Sequence, residues 1–285
     1  MIRVIFFFLF TVVLSNPGYA QQTISLKGIK GEYILAPNAE ISLKEAFERA
    51  VSNAKQEALR KAGIAENVSA SDVLITSQNN AEFKQDLNSF VAVEINGAVL
   101  NDSVVERRDF VDQFGNMVVQ VFLNTDVIKY EKKPDPSFDF KVEGLREYYE
   151  NNDLVNFDFF PYANGYLKIF NINDTECFMV YPYSSPDYSF LSDTINRKFI
   201  ANRKLRFPLN KNIGDSSTGQ TGYMMTTRTK RERNYLIFVY TKENILFKDT
   251  PEKKNILNWI YRITPDKRKV RFYDFVIVNK QSDNE

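Results

Sequence analysis

Histidine is missing from the sequence, and this absence excludes more functions than any other feature. None of the 285 residues is a histidine, and the one cysteine is Cys177. The chain therefore has no imidazole to act as a general base or metal ligand, and it forms no intrachain disulfide. Carboxylates alone would have to hold a metal, and they suit calcium or magnesium. Since no acidic run has the spacing of a calcium loop, we expect no metal, cofactor or nucleotide requirement.

Long apolar runs and a strong excess of one charge are also lacking. The apolar run Ile5–Leu14 has about ten residues, too few to cross a hydrocarbon layer of ~30 Å. Arg3 before it and Gly18-Tyr19-Ala20 after it are typical of a cleaved secretory signal over residues 1–20. The mature chain is expected to begin at Gln21, to lack a transmembrane segment, and to be periplasmic, outer-membrane-associated or extracellular. The formal charge of +1 does not indicate nucleic acid as a partner.

One helix organises the first part of the chain. Ser42 and Glu45 have the spacing of a capping box, and Gly63 stands where a left-handed C-terminal residue is expected. Between them, apolar residues recur at three- and four-residue steps and form one stripe. The stripe consists of Leu43, Phe47, Ala50, Val51, Ala54, Ala58 and Ala62. Because most of these side chains are small, their partner must come close, as a sheet face can; Ala54 should be buried and Lys55 should face solvent.

The remaining pattern predicts two domains joined by a short linker. Strand-like stretches and the hairpin turn Asp112–Asn116 predict an α+β domain over residues 21–130, with the long helix on an antiparallel sheet. Two prolines in the charged stretch Glu131–Ser137 predict an extended linker over 131–137. Residues 138–285 contain short aromatic strands and one late helix beginning at Thr250-Pro251. They are expected to form a mainly β domain, either a sandwich or a partly closed barrel.

The candidate binding residues are four basic residues of one short segment. They are Arg228, Lys230, Arg231 and Arg233. Strand-like stretches at Tyr223–Thr227 and Tyr235–Tyr240 predict a hairpin with this segment at its tip. Such a tip can attract a lipid headgroup, a glycan or an acidic protein surface, or it can be a solvated end whose charges discourage strand pairing. A second basic group, Lys267–Arg271, is open to the same two interpretations.

Three further patterns match known active sites only in part. Gly214–Thr221 has the spacing of a phosphate-binding loop, but Gln220 stands where the lysine is needed. Asp187 and Asp193 flank an aromatic stretch, as an acid pair beside rings does in glycosidases, although loop aspartates are usually turn formers. Cys177 has no histidine as a base and is expected to be a buried small hydrophobe. We therefore expect no catalytic residue.

Two stretches resemble bacterial families. The pattern from Gly31 to Gly63, with its alanine-rich helix, resembles the N-terminal domain of the flagellar T-ring protein and of related small envelope lipoproteins. That resemblance implies a helix on a small sheet and a role in building protein assemblies. A second resemblance, to a domain family of unknown function on secreted and envelope proteins, rests on Asp153–Phe160, Asn164–Phe170, Val180-Tyr181-Pro182 and Phe207-Pro208. Neither family implies a catalytic residue, and the lipidated cysteine of the lipoproteins is missing here.

These features favour a non-enzymatic, exported cell-envelope protein that binds or scaffolds an envelope protein or glycan. Residues 138–285 are the expected recognition half, because they hold the excess of basic residues and the denser aromatics. The alternative is a carbohydrate-active enzyme or glycan-binding protein that uses carboxylates and exposed aromatic rings. A pocket that brings two carboxylates together under an aromatic wall would favour the alternative.

Overall fold

The structure is mostly β, with one long helix near the start and a shorter helix near the end. The computed structural model describes residues 22–35, 41–64, 97–173, 175–182, 197–215 and 219–280. The predicted signal at residues 1–20 and the pair Asp187 and Asp193 lie outside these ranges. No sheet within the described ranges closes on itself, so the expectation of a partly closed barrel is not met. None of the helices described there is both long and apolar enough to cross a membrane.

Most of the helices and strands are short. Helix α1 covers Leu43–Lys61 and helix α2 covers Lys253–Arg262. The strands are β1 (Gln22–Leu35), β2 (Gly97–Val111), β3 (Met117–Lys129), β4 (Phe140–Glu143), β5 (Tyr148–Glu150), β6 (Leu154–Val155), β7 (Phe157–Pro161), β8 (Tyr166–Ile172), β9 (Cys177–Tyr181), β10 (Leu205–Phe207), β11 (Gly214–Asp215), β12 (Gln220–Thr221), β13 (Tyr223–Met224), β14 (Arg231–Thr241) and β15 (Arg268–Val278).

The first sheet has the antiparallel order β1–β3–β2, and α1 packs on one of its faces. The predicted helix ends are confirmed: the Ser42 hydroxyl accepts a hydrogen bond of 3.2 Å from the Glu45 amide, and Gly63 has a φ of 71°. The core between helix and sheet includes Ala46, Ala50, Ala54, Ala58, Leu59, Val119, Val121 and Leu123. Alanine side chains fill this core because the helix lies close to the sheet.

Three details of the predicted helix faces are wrong. Leu43, in the first turn, is 44% exposed. Lys55 does not face open solvent, because its ammonium group pairs with Asp102 of β2 at 3.2 Å. Leu59, which was not assigned to the stripe, is buried in the same core. The helix therefore contacts the sheet over a wider arc than the spacing of the apolar residues indicated.

Two further sheets contribute side chains to one aromatic core. The five-stranded sheet has the order β5–β15–β14–β8–β9, and the three-stranded sheet has the order β10–β7–β4. Their shared core includes Phe140, Phe157, Phe159, Phe207, Phe238 and Tyr240. Several rings meet edge to face, as Phe159 and Tyr240 do with centroids 5.4 Å apart, an arrangement that stabilises beyond area burial alone. The predicted aromatic strands are thus confirmed as the source of this core.

Helix α2 covers the other face of the five-stranded sheet. Ile256, Trp259 and Ile260 are buried against Phe170 and Ile237 of the sheet. The helix begins at Lys253, with Glu252 as its N-cap. It therefore starts later than the predicted Thr250-Pro251 cap.

Helix α2 also contacts the first sheet. The Tyr130 hydroxyl donates a hydrogen bond of 2.7 Å to the Tyr261 carbonyl, and Lys254 donates one of 3.2 Å to the Asp102 carbonyl. The predicted linker, residues 131–137, contains no helix or strand, but Asp135 within it pairs with Lys242 at 2.5 Å. This hydrogen bond with Lys242 holds the pKa of the Asp135 carboxyl well below its usual range.

Candidate functional site

The four candidate basic residues lie in residues 228–233, hereafter the basic segment, which does not form the tip of the predicted hairpin. Strand β13 pairs with β6, whereas β14 pairs with β15 and β8. The predicted pairing of Tyr223–Thr227 with Tyr235–Tyr240 is therefore wrong, because both stretches find partner strands distant in sequence. The basic segment leads instead into β14, and Arg231 and Arg233 already belong to that strand.

The basic segment presents most of its charge to solvent. Arg228, Lys230 and Arg231 are exposed, whereas Arg233 is half-buried. Arg231 and Arg233 are two residues apart on β14 and therefore lie on the same face of the sheet. Within the described part of the chain, the guanidinium groups of Arg228 and Arg231 form no ion pair.

The one acidic residue of the basic segment is held by neutral donors. The Glu232 carboxylate accepts hydrogen bonds from Asn173 at 3.1 Å, from Asn234 at 2.9 Å and from the Thr227 hydroxyl at 3.2 Å. The Asn234 side-chain oxygen in turn accepts one of 2.7 Å from Asn171. Asn171 and Asn234 are both buried, so Glu232 is tied into the fold beneath the exposed basic side chains.

Hydroxyl and amide side chains also fix the turn before β14. The Thr227 amide donates to the Asn151 side-chain oxygen at 2.8 Å, and the Thr229 amide donates to the Thr227 hydroxyl at 3.1 Å. The Thr229 hydroxyl donates to the Arg231 carbonyl at 3.1 Å. The backbone that carries the basic side chains is thus ordered in advance, which lowers the entropic cost of binding a partner.

The second basic group, Lys267–Arg271, is used largely inside the fold. Lys267 pairs with Glu243 at 2.8 Å. The buried Arg268 donates to the Ile260 carbonyl at the end of α2. One guanidinium nitrogen of Arg271 donates to both carboxylate oxygens of Asp139, at 2.9 and 2.8 Å, and these hydrogen bonds are charge-assisted. The carboxylates of Glu243 and Asp139 compensate the charges of Lys267 and Arg271, so this group is a weaker candidate surface than the basic segment.

The remaining candidates that lie within the described ranges do not come together as a catalytic site. Cys177 is half-buried, and burial raises the pKa of its thiol, which disfavours the reactive thiolate. Gly214–Asp215 pairs with Gln220–Thr221 as a short antiparallel ladder, not as a loop that opens a helix onto phosphate. Within the described ranges, no group of three carboxylate or thiol residues could hold a metal ion.

The sequence interpretation overlooked one buried charged residue. Lys168 lies in β8, is 4% exposed and has an ammonium nitrogen without a hydrogen-bond partner among the described residues. That nitrogen is 5.8 Å from the centroid of the Trp259 ring. Burial lowers the pKa of Lys168 to about 8. The sequence contained one signal of this burial, the position of Lys168 within the apolar run of β8. A half-buried strand exposes alternate residues, whereas β8 does not.

Comparison with known proteins adds no family assignment. No protein-family model matches the chain, and no curated protein matches it either. The two resemblances noted above stay predictions. Function has to be argued from the site itself, since a fold hosts many functions.

Proposed function

We propose that the chain is a non-enzymatic, exported protein of the bacterial cell envelope that binds or scaffolds an anionic envelope component. In this proposal residues 1–20 are removed on export, and the mature chain acts in the periplasm or at the outer membrane. Residues 21–130 and 138–285 serve as two domains joined by the linker 131–137. The first is the assembly module implied by its resemblance to the T-ring domain, and the second carries recognition.

The observation that carries this proposal is the exposed charge of two residues of the basic segment, Arg228 and Arg231. Arg228 and Arg231 are exposed and form no ion pair with a described residue. Arg228 lies in a turn that is fixed by Thr227 and Thr229, and Arg231 is the first residue of β14. Guanidinium groups held in this way recognise carboxylate or phosphate groups well. An acidic protein surface or an anionic glycan therefore fits the segment.

The contrast with Lys267–Arg271 supports the choice of site. Both groups are rich in basic residues, but Glu243 and Asp139 neutralise Lys267 and Arg271 within the fold. The only acid of the basic segment, Glu232, accepts hydrogen bonds from amide and hydroxyl donors. Since an anionic partner responds to uncompensated positive charge, Arg228 and Arg231 make the basic segment the better recognition surface.

Co-sedimentation of the mature chain with washed Gram-negative envelope fragments tests the proposal. The variant Arg228→Ala/Arg231→Ala should remain largely in the supernatant, and added salt should weaken binding of the unmodified protein because exposed charges are screened. The matched control Arg203→Ala/Lys211→Ala also removes two exposed basic residues but should bind as the unmodified protein does. Equal binding by both double variants would exclude the basic segment as the recognition surface.

A further inference from the structure

One end of the first sheet carries a group of exposed apolar side chains, hereafter the apolar tip. The last residues of β1 and β2, the turn Asp112–Asn116 and the first residue of β3 form this end. The apolar tip consists of Ile34, Phe110, Val111, Phe114 and Met117, which are 36% to 77% exposed. Helix α2 contacts the same sheet at its other end, near Asp102, roughly 25 Å away along the strands. A group of exposed apolar side chains of this kind marks a site that meets a partner.

The apolar tip is apolar on both faces of the sheet. Ile34 and Phe110 flank the same residue of β3, so their side chains share one row on the face away from α1. Val111 pairs with Met117 in the next row, which lies on the face toward α1. Phe114 belongs to the turn, past the end of both rows. A protein partner that packed on one face would leave the other face in water, whereas a lipid layer surrounds an inserted tip on all sides.

The turn of the apolar tip provides partners for its own peptide groups. The Asp112 amide donates to the Asn116 carbonyl at 2.9 Å, and the Gly115 amide donates to the Asp112 carbonyl at 3.1 Å. The Asp112 carboxylate accepts hydrogen bonds from the Phe114 amide at 2.8 Å and from the Asn116 amide at 2.9 Å. Peptide groups that leave water for lipid need internal partners of this kind, so the turn can enter a lipid interface at low cost.

A charged collar follows the apolar tip along both outer strands. The six charged residues of β1 and β2 nearest to the tip are three bases and three acids: Lys30, Glu32, Glu106, Arg107, Arg108 and Asp109. Lys30 pairs with Glu32 at 2.8 Å, and Arg108 pairs with Glu106 at 2.5 Å. Because the collar has no net charge, it can meet lipid headgroups without requiring an anionic lipid. An apolar part bordered by charged groups is the arrangement of segments that lie in a membrane interface.

We propose that the apolar tip inserts into the surface of a lipid bilayer and so docks the mature chain on a membrane. The occupant is a lipid layer because the tip is apolar on both faces, its turn satisfies its own peptide groups, and a neutral charged collar follows. The ionised carboxylate of Asp112 keeps the insertion shallow, at the boundary of headgroups and acyl chains, about 5–10 Å deep.

Docking by the apolar tip is separate from the proposed function and weaker than a stable anchor. It involves neither Arg228 nor Arg231, so it stands independently of recognition by the basic segment. One acyl chain gives only marginal, reversible membrane binding, and we expect the apolar tip to bind no more strongly. At low lipid concentration the basic segment therefore still decides whether the chain stays on envelope fragments.

Flotation of the mature chain with uncharged vesicles tests the proposal. Vesicles of phosphatidylcholine and phosphatidylethanolamine contain no anionic lipid, so the basic segment does not drive binding to them. The unmodified chain should float at high lipid concentration, and added salt should not release it, since salt screens charges and not apolar burial. Val111→Ser/Phe114→Ser should bind the vesicles at least roughly tenfold more weakly.

Two further variants serve as controls in the same experiment. Ile200→Ser/Leu246→Ser removes two apolar side chains that are also exposed but lie outside the apolar tip, and it should float as the unmodified chain does. Arg228→Ala/Arg231→Ala should float as well, so failure of this proposal and failure of the proposed function are distinguishable. Matching circular dichroism spectra show that the variants are folded. Equal flotation by the two serine variants would overturn the proposal.

A tryptophan placed in the apolar tip reports its insertion. The chain has one tryptophan, Trp259, which is buried in α2. Phe114→Trp adds an indole whose emission should shift to shorter wavelength with vesicles and be quenched by bromine on the acyl chains, whereas Trp259 emission in the unmodified chain should not change. An unmodified chain that does not float, or an added indole that is not quenched, would overturn the proposal. A lipid-free dimer that Phe114→Ser abolishes would also overturn it, because the occupant would then be a second copy.

Discussion

Gly31 of β1 packs directly against the backbone of Ala50 in α1. A Cβ atom at Gly31 would lie 2.0 Å from the Ala50 carbonyl oxygen and 2.5 Å from the Ala54 amide nitrogen. No side chain fits between strand and helix at this point. The alanine face of α1 and the glycine of β1 therefore depend on each other, and together they set how close the helix lies to the sheet.

Enlarging either side of this contact should destabilise the protein. Gly31→Ala and Ala54→Leu each force the helix away from the sheet, and overpacking of this kind costs roughly 1–3 kcal/mol. Gln56→Ala, at an exposed position of α1, is the control and should change the free energy of unfolding by less than about 0.5 kcal/mol. Urea titration of the three variants measures these differences. Equal effects at Gly31 and Gln56 would show that the close contact is absent.

The hydrogen bond from Tyr130 to Tyr261 should contribute measurably to stability. Tyr130→Phe removes the hydroxyl that donates to the Tyr261 carbonyl at 2.7 Å and should lower the free energy of unfolding by about 0.5–1.5 kcal/mol. Tyr162→Phe removes a hydroxyl from a side chain that is 48% exposed and should have little effect. A Tyr130→Phe protein as stable as the unmodified one would mean that this contact between α2 and the residue after β3 is not maintained in solution.

Lys168 should make stability rise with pH in the alkaline range. Its pKa is about 8 in the folded protein against an ordinary 10.5, so between these values the unfolded chain binds more protons than the folded one. Stability therefore increases as pH rises above about 8. Below that pH the folded protein has to bury the charged ammonium group.

Lys168→Met should remove this dependence and stabilise the protein at pH 7. The gain is up to about 3 kcal/mol, since one pKa unit corresponds to about 1.4 kcal/mol. The quantity to measure is the difference in unfolding free energy between the two proteins from pH 7 to pH 9.5. The contributions of all other titrating groups cancel in this difference. That difference should shrink as pH rises. A constant difference would show that Lys168 titrates normally in the folded protein.

Export should leave a chain that begins at Gln21. The apolar run Ile5–Leu14 and the small residues Gly18 and Ala20 are the basis for this prediction. N-terminal sequencing of the protein purified from its native host checks it. Residues 1–20 still attached in a membrane fraction would count against the cleaved signal.

Local patterns in the sequence predicted the long helix well and the strand partners poorly. Ser42, Glu45 and Gly63 act within one or two turns of α1, so their spacing was sufficient to place its ends. Strand pairing depends on residues far apart in the chain. Tyr223 pairs with Val155, and neighbouring strand-like stretches could not indicate that choice.

The sequence showed which basic residues stand together in the chain but not how the fold holds them. The basic residues of 228–233 were visible in the sequence, and three of them, Arg228, Lys230 and Arg231, are exposed. Their support by Asn171, Asn173 and Asn234 was not visible, because these amides come from β8, from the residue after it and from β14. Lys168 was missed for a related reason: its place in the apolar run of β8 indicated a buried position, but the burial of its ammonium group depends on packing against α2.

The affinity of the mature chain for envelope fragments, compared between two matched double variants, tests the central claim most directly. Each basic residue near an anionic surface contributes about 1 kcal/mol, so Arg228→Ala/Arg231→Ala should weaken binding roughly 30-fold. Arg203→Ala/Lys211→Ala should leave the dissociation constant unchanged within about twofold, because these residues lie outside the basic segment. The same loss of affinity in both double variants, or in neither, would contradict recognition of an anionic envelope component by the basic segment.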